Sequence, residues 1–297
     1  MGSVISLTDL GHRPLIPAAV TPLTDGGAAV DLDAIAPYAA FLESHGADGA
    51  FVCGTTGEGV LLSLDERRAT AEAFRDALTG TLIVHAGAQT TADTVTLAAH
   101  AREIGADAVA VIAPPYFPLD DDALTAHFVA AARAAAPLPF YCYAFTARSG
   151  YPLPVEVIRR IGASVDNLAG LKVSESPFER VAPYLELGLP VLVGSEPLIP
   201  AAVAHGAIGS VSGMAAAFPD VVRECLDAAD EAAGVRLTAL RRSLEATGQL
   251  IPAAKHALGR RGIPVGAAVR SPLRALTPTE TTTLDAALEE YLAPTAA

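Results

Sequence analysis

Short apolar runs alternate with longer amphipathic stretches over roughly the first two thirds of this 297-residue chain. Most runs end at Gly, Pro, Ser or Thr, as strands do, and the stretches between them have helical spacing. Eight such units in strict alternation favour a closed (β/α)8 TIM barrel over an open doubly wound sheet, although the length suits either. The predicted strands are Leu15–Thr21, Gly49–Cys53, Leu82–Ala86, Ala108–Ala113, Pro139–Ala144, Leu168–Val173, Pro190–Val193 and Ala207–Val211.

The chain changes character after about residue 215, where no further strand candidate occurs. We therefore predict a barrel domain over residues 1–215, which carries the active site, and a C-terminal helical domain over residues 216–297. No low-complexity linker separates them, so we expect one packed unit. The predicted C-terminal helices are Val221–Ala233, Leu237–Gly248, Ile251–Leu258 and Thr279–Leu292, and barrel helices include Leu64–Leu78, Thr91–Ile104 and Ala123–Ala135.

Charge and cysteine content exclude several classes of function. The formal net charge is −13, so the chain has no global field to attract a nucleic-acid backbone. Cys53, Cys142 and Cys225 are widely spaced and match no metal-ligand pattern, which indicates a reduced, cytoplasmic protein without a structural metal. No apolar run of about 18 residues is present, so no membrane partner is expected.

Lys172 is one of two lysines in the chain and lies in the apolar run Asn167–Ser174. Burial disfavours an ammonium and lowers its pKa. A neutral amine is a nucleophile, and condensation with a ketone is a common use of such a lysine. The alternative is a lysine at the end of an edge strand whose nitrogen reaches water.

Residues that follow the predicted strands are the other candidates, because catalytic groups of such barrels gather at the carboxyl ends of the strands. Gly54–Gly59 follows strand two and combines two hydroxyls with clustered backbone N–H groups, which suits a carboxylate or phosphate. Its alternative is a turn whose threonine caps the next helix. Tyr116 follows strand four, and Tyr143 ends strand five.

Strand alternation groups the side chains of strands five and six. A period of two directs Tyr141 and Tyr143 to one face of strand five. It directs Gly170, Lys172 and Ser174 to one face of strand six. Small residues beside the lysine favour room for a ligand.

These motifs together resemble the dihydrodipicolinate synthase / N-acetylneuraminate lyase family of pyruvate-dependent class I aldolases. The resemblance covers nearly the whole chain and the motifs occur in the family's order. They are Gly54-Thr-Thr-Gly-Glu58, Tyr143 with Arg148-Ser-Gly150, Gly170-Leu-Lys172 and Gly194-Ser-Glu196.

The resemblance implies catalytic roles for four residues. Lys172 is expected to form an imine with C2 of pyruvate or another 2-keto acid, so that no cofactor is needed. Tyr143 is expected to act as general acid and base. Thr55 would relay its protons, and Tyr116 would complete the relay from a neighbouring subunit of a homotetramer.

The resemblance also implies a substrate site. Thr56 and the loop N–H groups would hold the keto-acid carboxylate, and Arg148 would hold a carboxylate of the second substrate, an acidic aldehyde. An arginine at this position disfavours sialate cleavage. We assign the remaining substrate contacts to Gly54, Gly194, Glu196 and Ser210.

Departures from the family pattern leave the second substrate open. Tyr143-Ala-Phe-Thr146 replaces the usual Tyr-Asn-x-Pro, and Pro114-Pro-Tyr116 replaces Pro-Tyr-Tyr. Ser195-Glu196 replaces an expected acidic pair. We therefore favour a 2-keto-3-deoxy acid or related acidic aldehyde over 4-hydroxy-tetrahydrodipicolinate synthesis from pyruvate and aspartate semialdehyde.

Two hypotheses from other classes stay open. One is a catalytically silent family member that binds a small acid, although the Lys, Tyr and Thr of the motif are all present. The other is a phosphate-binding barrel enzyme, which would need a second phosphate motif after strands seven and eight. Only Gly209–Gly213 offers a candidate for it.

Overall fold

A computed structural model of the chain describes residues 7–292. Within these residues eight parallel strands form one sheet, in which each strand pairs with its sequence neighbours from β2 to β8. β1 pairs with β8, with Leu15 opposite Ser210. A parallel bridge between Ala18 and Phe51 joins the first strand to the second. The predicted closure of a (β/α)8 barrel is therefore confirmed.

Helices follow the strands in regular alternation. The strands are β1 Leu15–Pro17, β2 Gly49–Val52, β3 Thr81–His85, β4 Ala108–Ile112, β5 Phe140–Ala144, β6 Leu168–Val173, β7 Val191–Val193 and β8 Gly209–Ser212. The helices are α1 Ile35–Ser44, α2 Leu64–Ala77, α3 Thr91–Glu103, α4 Asp121–Ala135, α5 Thr146–Ser149, α6 Val155–Gly162, α7 Phe178–Leu185, α8 Ile199–Ala204, α9 Pro219–Ala228, α10 Glu231–Glu245, α11 Leu250–Arg260 and α12 Pro278–Leu292.

Strand alternation divides the core into two layers. Alternate residues of the strands, including Phe51, Tyr141 and Tyr143, pack together inside the barrel. Their neighbours, such as Leu171 and Val173, pack outward in the larger core that includes the helices. The predicted faces of β5 and β6 are therefore confirmed, and the inner face carries the candidate site.

The first two helices after β8 divide at a different place from the one predicted, since α10 continues through the predicted break before Leu237. Val221–Ala233 was expected to be continuous, but α9 ends at Ala228 and α10 begins at Glu231. Ala229 takes a left-handed φ of 48°. The side chain of Asp230 then accepts a hydrogen bond from the N–H of Ala233 at 2.8 Å and caps α10. An aspartate N-cap favours a helix start over continuation, which explains the break.

The C-terminal helices lie against the barrel. α9 packs on β1 and β8, so it covers the seam at which the barrel closes. α10 packs on α9, α11 and α12 and also contacts the turn that follows β7. This last contact brings α10 to the candidate site. The division into domains at residue 215 stays a prediction.

Candidate active site

A cavity of about 670 Å³ opens at the carboxyl ends of the strands. Its walls come from the loops after several strands and from the start of α11. Most of the residues predicted for the site line this one cavity. They are Lys172, Tyr143, Thr55, Thr56, Arg148, Gly194 and Glu196.

Lys172 lies on the barrel's inner face with only 4% of its surface exposed. Its nitrogen lies 3.9 Å from the centre of the Phe51 ring and 4.1 Å from that of Tyr143. Burial lowers the pKa of Lys172 to about 7, and the negative charge of Glu196 opposes the shift. A large share of this amine is therefore neutral near pH 7. The alternative of a lysine that reaches water from an edge strand is wrong, because the closed barrel has no edge at β6.

Aromatic rings pack around the lysine inside the barrel. Phe51 lies 5.8 Å from the His85 ring and 6.0 Å from the Tyr143 ring, so the three rings fill the barrel interior. Gly170 makes room for a further ring of the barrel interior, since a Cβ there would lie 2.8 Å from a carbon of the Tyr141 ring. The small residue beside the lysine thus accommodates a tyrosine rather than a ligand.

Tyr143 is buried and directly opposite Lys172 across the β5–β6 pair. Burial raises the pKa of Tyr143 to about 12, while hydrogen bonds with Ser174 and Thr55 and the charge of Arg148 oppose the rise. The phenol is therefore protonated at neutral pH and can donate a proton toward the lysine. The contact with Thr55 agrees with the predicted relay.

The loop after β2 directs Thr55 and Thr56 into the cavity. It is folded tightly, because the N–H of Gly59 donates to the carbonyl of Gly54 at 3.0 Å. The alternative in which a threonine caps the next helix is wrong. Ser63 caps α2 in a reciprocal capping box with Glu66.

Glu196 is buried at the end of β7 and fully engaged by protein groups. One oxygen accepts from the Ser212 hydroxyl at 2.8 Å and from the N–H of Met214 at 3.0 Å. The other pairs with Arg241, which comes from α10. A carboxylate buried between the ends of β7 and β8 would repel a bound phosphate. This arrangement therefore argues against the phosphate-binding alternative.

Arg148 lies in α5 beside Phe145, with its guanidinium 5.5 Å from the ring centre. It is exposed, and it forms no ion pair with any residue of the described range 7–292. Arg241, in contrast, pairs with both Glu196 and Glu245. Arg148 is therefore the arginine of this cavity whose charge is available to a ligand.

Three predicted residues do not line the cavity. Tyr116 is 81% exposed and packs edge-to-face against Phe117, with ring centres 4.8 Å apart. Gly54 packs on Phe51, where a Cβ would lie 2.4 Å from a ring carbon. Ser210 is buried and donates to the carbonyl of Val193 at 2.8 Å. Their substrate or relay roles stay predictions.

Several lining residues were not predicted from the sequence. Arg241 and Glu245 reach the cavity from α10, and residues 248–252 form the rim before and within α11. No local motif marks them, because they approach the site only through the packing of the C-terminal helices. Ser174, which strand alternation had placed on the same face as Lys172, also lines the cavity, although it was assigned no role.

Comparison with known proteins agrees with this geometry. The model of the dihydrodipicolinate synthetase family matches residues 12–291. The chain belongs to this family. An uncharacterised DapA-like lyase of Halobacterium salinarum is 34% identical over 95% of this chain and 94% of its own. The 4-hydroxy-tetrahydrodipicolinate synthase 1 of Streptomyces coelicolor is 34% identical over 93% of each chain.

Solved structures support the same assignment. The N-acetylneuraminate lyase of Proteus mirabilis superposes with a TM-score of 0.84 at 30% identity, over 95% of this chain and 98% of its own. Members of the family are class I pyruvate-dependent aldolases and lyases, so this protein is an enzyme of the lyase class. Within residues 7–292 no helix has the length and apolar character needed to cross a membrane.

Proposed function

We propose that this lyase forms an imine between Lys172 and pyruvate or a 2-keto acid. We further propose that it makes or cleaves a bond to an acidic aldehyde, as in a 2-keto-3-deoxy acid. The observation that carries this proposal is the buried Lys172, whose pKa falls to about 7 in a cavity shared with Tyr143 and the unpaired Arg148. This set of groups supports covalent catalysis without a cofactor.

The proposed chemistry begins with attack of the neutral amine of Lys172 on C2 of the keto acid. The carbinolamine loses water and becomes a protonated imine, which draws electrons from C3. Loss of a proton from C3 gives an enamine that attacks the aldehyde carbon, and in the reverse direction the C–C bond breaks and expels the aldehyde. Hydrolysis of the imine then releases the product and regenerates the amine.

Tyr143 would supply and accept the protons of these steps. Its hydroxyl is protonated at neutral pH, and it contacts Thr55 and Ser174. Thr55 would pass protons between the phenol and the reacting oxygen atoms. Thr56 and the neighbouring N–H groups would hold the keto-acid carboxylate, in the manner of other loops with clustered backbone donors.

Arg148 supports an acidic second substrate, because a free guanidinium binds a carboxylate through paired hydrogen bonds. The same feature favours 4-hydroxy-tetrahydrodipicolinate synthesis as the second candidate, with aspartate semialdehyde as the acceptor. A catalytically silent binding protein is less well supported. It would have no need of a lysine whose pKa falls to about 7.

The proposal also covers the oligomeric state of the protein and its location in the cell. We infer a homotetramer in which Tyr116, exposed on its own subunit, reaches a neighbouring site. Cys53, Cys142 and Cys225 are all buried and free, which supports a reducing, cytoplasmic setting.

A substrate panel tests this proposal. Acidic and neutral aldehydes are incubated with pyruvate, and 2-keto-3-deoxy acids are incubated alone, while pyruvate consumption or release is followed. We expect turnover with a carboxylated partner and at least about tenfold less with its neutral analogue. Turnover confined to aspartate semialdehyde would select the second candidate. Pyruvate binding without turnover of any partner would favour the silent protein.

A further inference from the structure

Glu58 and Lys255 form an ion pair with both side chains completely buried. The lysine nitrogen lies 2.5 Å from one Glu58 oxygen and donates to the carbonyl of Ala268 at 2.7 Å. The second Glu58 oxygen accepts from the N–H of Arg270 at 2.6 Å. The pair thus joins the loop after β2, helix α11 and the segment at residues 268–270.

Stability alone does not explain this pair. The desolvation of two charges offsets much of their attraction, so apolar residues of similar size are often as stabilising as a buried ion pair. What the pair fixes is the relative arrangement of the segments that carry it. That arrangement is important here because two of these segments form walls of the cavity.

On the loop side, Glu58 closes the turn that presents the two threonines. Its N–H donates to the carbonyl of Thr55 at 3.1 Å, and its backbone takes a left-handed φ of 56°. A non-glycine residue with such a φ persists only when its surroundings hold it. The paired carboxylate provides that restraint immediately beyond Thr55 and Thr56, which line the cavity.

On the helix side, Lys255 lies one turn beyond residues that form another part of the cavity wall. Leu250, Ile251 and Pro252 line the cavity at the start of α11. A helix is stiff over this distance, so a restraint at Lys255 also fixes these residues. The loop after β2 and the start of α11 are therefore connected through one buried contact.

We propose that Glu58 and Lys255 are positioning residues that hold Thr55 and Thr56 in place before substrate arrives. This inference rests on the proposed function, in which Thr56 binds the keto-acid carboxylate. Loss of the pair should therefore weaken keto-acid binding more than it slows imine chemistry at saturation. A role confined to stability would leave keto-acid binding unchanged.

The test uses Glu58→Gln, Lys255→Met and the double variant. Pyruvate is titrated, the imine is trapped with borohydride, and the concentration giving half-maximal adduct is compared with the melting temperature. Removing both charges together should recover at least half of the melting temperature lost in Lys255→Met. The half-maximal pyruvate concentration should stay raised about tenfold or more, the value of a lost hydrogen bond to a charged group.

Asp220→Asn is the matched control, because Asp220 pairs with Arg261 at the far end of α11. It should lower the melting temperature and leave the half-maximal pyruvate concentration within about twofold of the unmodified protein. A double variant of Glu58 and Lys255 whose half-maximal concentration also stays within twofold would overturn the inference. Absence of any adduct in the unmodified protein would instead contradict the proposed function.

Hydrogen exchange keeps the inference testable if the variants do not fold. In the unmodified protein the amides of Glu58 and Gly59, which donate to the carbonyls of Thr55 and Gly54, should be protected as strongly without pyruvate as with it. Protection that arises only when pyruvate is added would show a loop ordered by the substrate, and would overturn the inference.

Discussion

The two lysines of this chain are both buried, yet they lie in opposite surroundings. The nitrogen of Lys255 donates hydrogen bonds to Glu58 and to the backbone carbonyl of Ala268. Lys172 faces two aromatic rings and a cavity, and it forms no ion pair with any described residue. Burial lowers the pKa of both. The difference is that only Lys172 has a nitrogen free to attack a carbonyl.

The comparison shows that burial alone does not create a nucleophilic lysine. A buried ammonium that is paired with a carboxylate is held by that carboxylate, and removal of either partner leaves an uncompensated buried charge. A buried amine beside apolar rings instead becomes neutral at moderate pH. The same residue type is thus suited to maintaining structure in the C-terminal helices and, in the proposed mechanism, to chemistry in the barrel.

The largest expected effect is that of Lys172→Met on turnover, which we expect to fall by at least about 10³-fold because Lys172 is the only amine among the described residues that line the cavity. Steady-state kinetics measure the loss. Lys255→Met is the comparison variant: it should still form the imine at saturating pyruvate but lose roughly 3–5 kcal/mol of unfolding free energy. Loss of the imine in the Lys255 variant, or retained turnover in the Lys172 variant, would remove the distinction between the two lysines.

Tyr143→Phe should have the next largest effect. It retains the ring against Lys172 and removes only the hydroxyl, so imine formation should survive. Turnover should fall by roughly 10²–10⁴-fold, the usual contribution of a positioned acid or base. Single-turnover kinetics separate the two steps. Unchanged turnover would exclude Tyr143 as the proton donor.

Arg148→Leu should have a smaller and more selective effect. Arg148 lacks an ion pair among residues 7–292, so its removal leaves no protein carboxylate unpaired. Use of carboxylated partners should weaken by roughly 10–150-fold in kcat/KM, while neutral partners and imine formation change little. Equal losses for acidic and neutral partners would indicate that Arg148 only shapes the loop.

The smallest expected effect is the change in the rate of imine formation with pH. Because burial lowers the pKa of Lys172 to about 7, the reactive neutral amine predominates above that pH. The initial rate of borohydride trapping should therefore rise through a midpoint near pH 7. It should then stay level to about pH 10, since the pKa of Tyr143 is about 12. A midpoint above pH 9 would show that Lys172 is an ordinary, solvated lysine.

The same shift has a consequence for stability. Between its lowered pKa and its ordinary value of 10.5, Lys172 binds a proton in the unfolded state and loses it in the folded state. Folding stability should therefore rise with pH across this window and fall as pH drops toward 7. Lys172→Met should remove this part of the pH dependence, which thermal unfolding at several pH values would measure.

Local patterns predicted much of the molecule. The barrel and the inward direction of Lys172 and Tyr143 follow from the order of apolar runs and from strand alternation, which depend on near neighbours. Arg241 and Lys255 could not be assigned in this way. Their partners Glu196 and Glu58 lie 45 and 197 residues away, so only the packing of α10 and α11 brings them together.

Local sequence patterns also did not predict the boundary between α9 and α10. The apolar spacing from Val221 to Ala233 continues through the break at Ala229 because α9 and α10 both present apolar faces to the core. Asp230 was the available signal, since an aspartate favours a helix start. The exposed position of Tyr116 does not follow from local sequence, because an aromatic residue after a strand usually packs against its own barrel. Only the family resemblance, which places Tyr116 in the site of a neighbouring subunit, implied it.

The most direct test of the central claim is borohydride trapping with pyruvate, followed by peptide mass mapping. We predict one reduced pyruvate adduct on the unmodified protein, located at Lys172. Lys255, fully buried against Glu58, should remain unmodified. An adduct at Lys255, or no adduct at either lysine, would contradict the account.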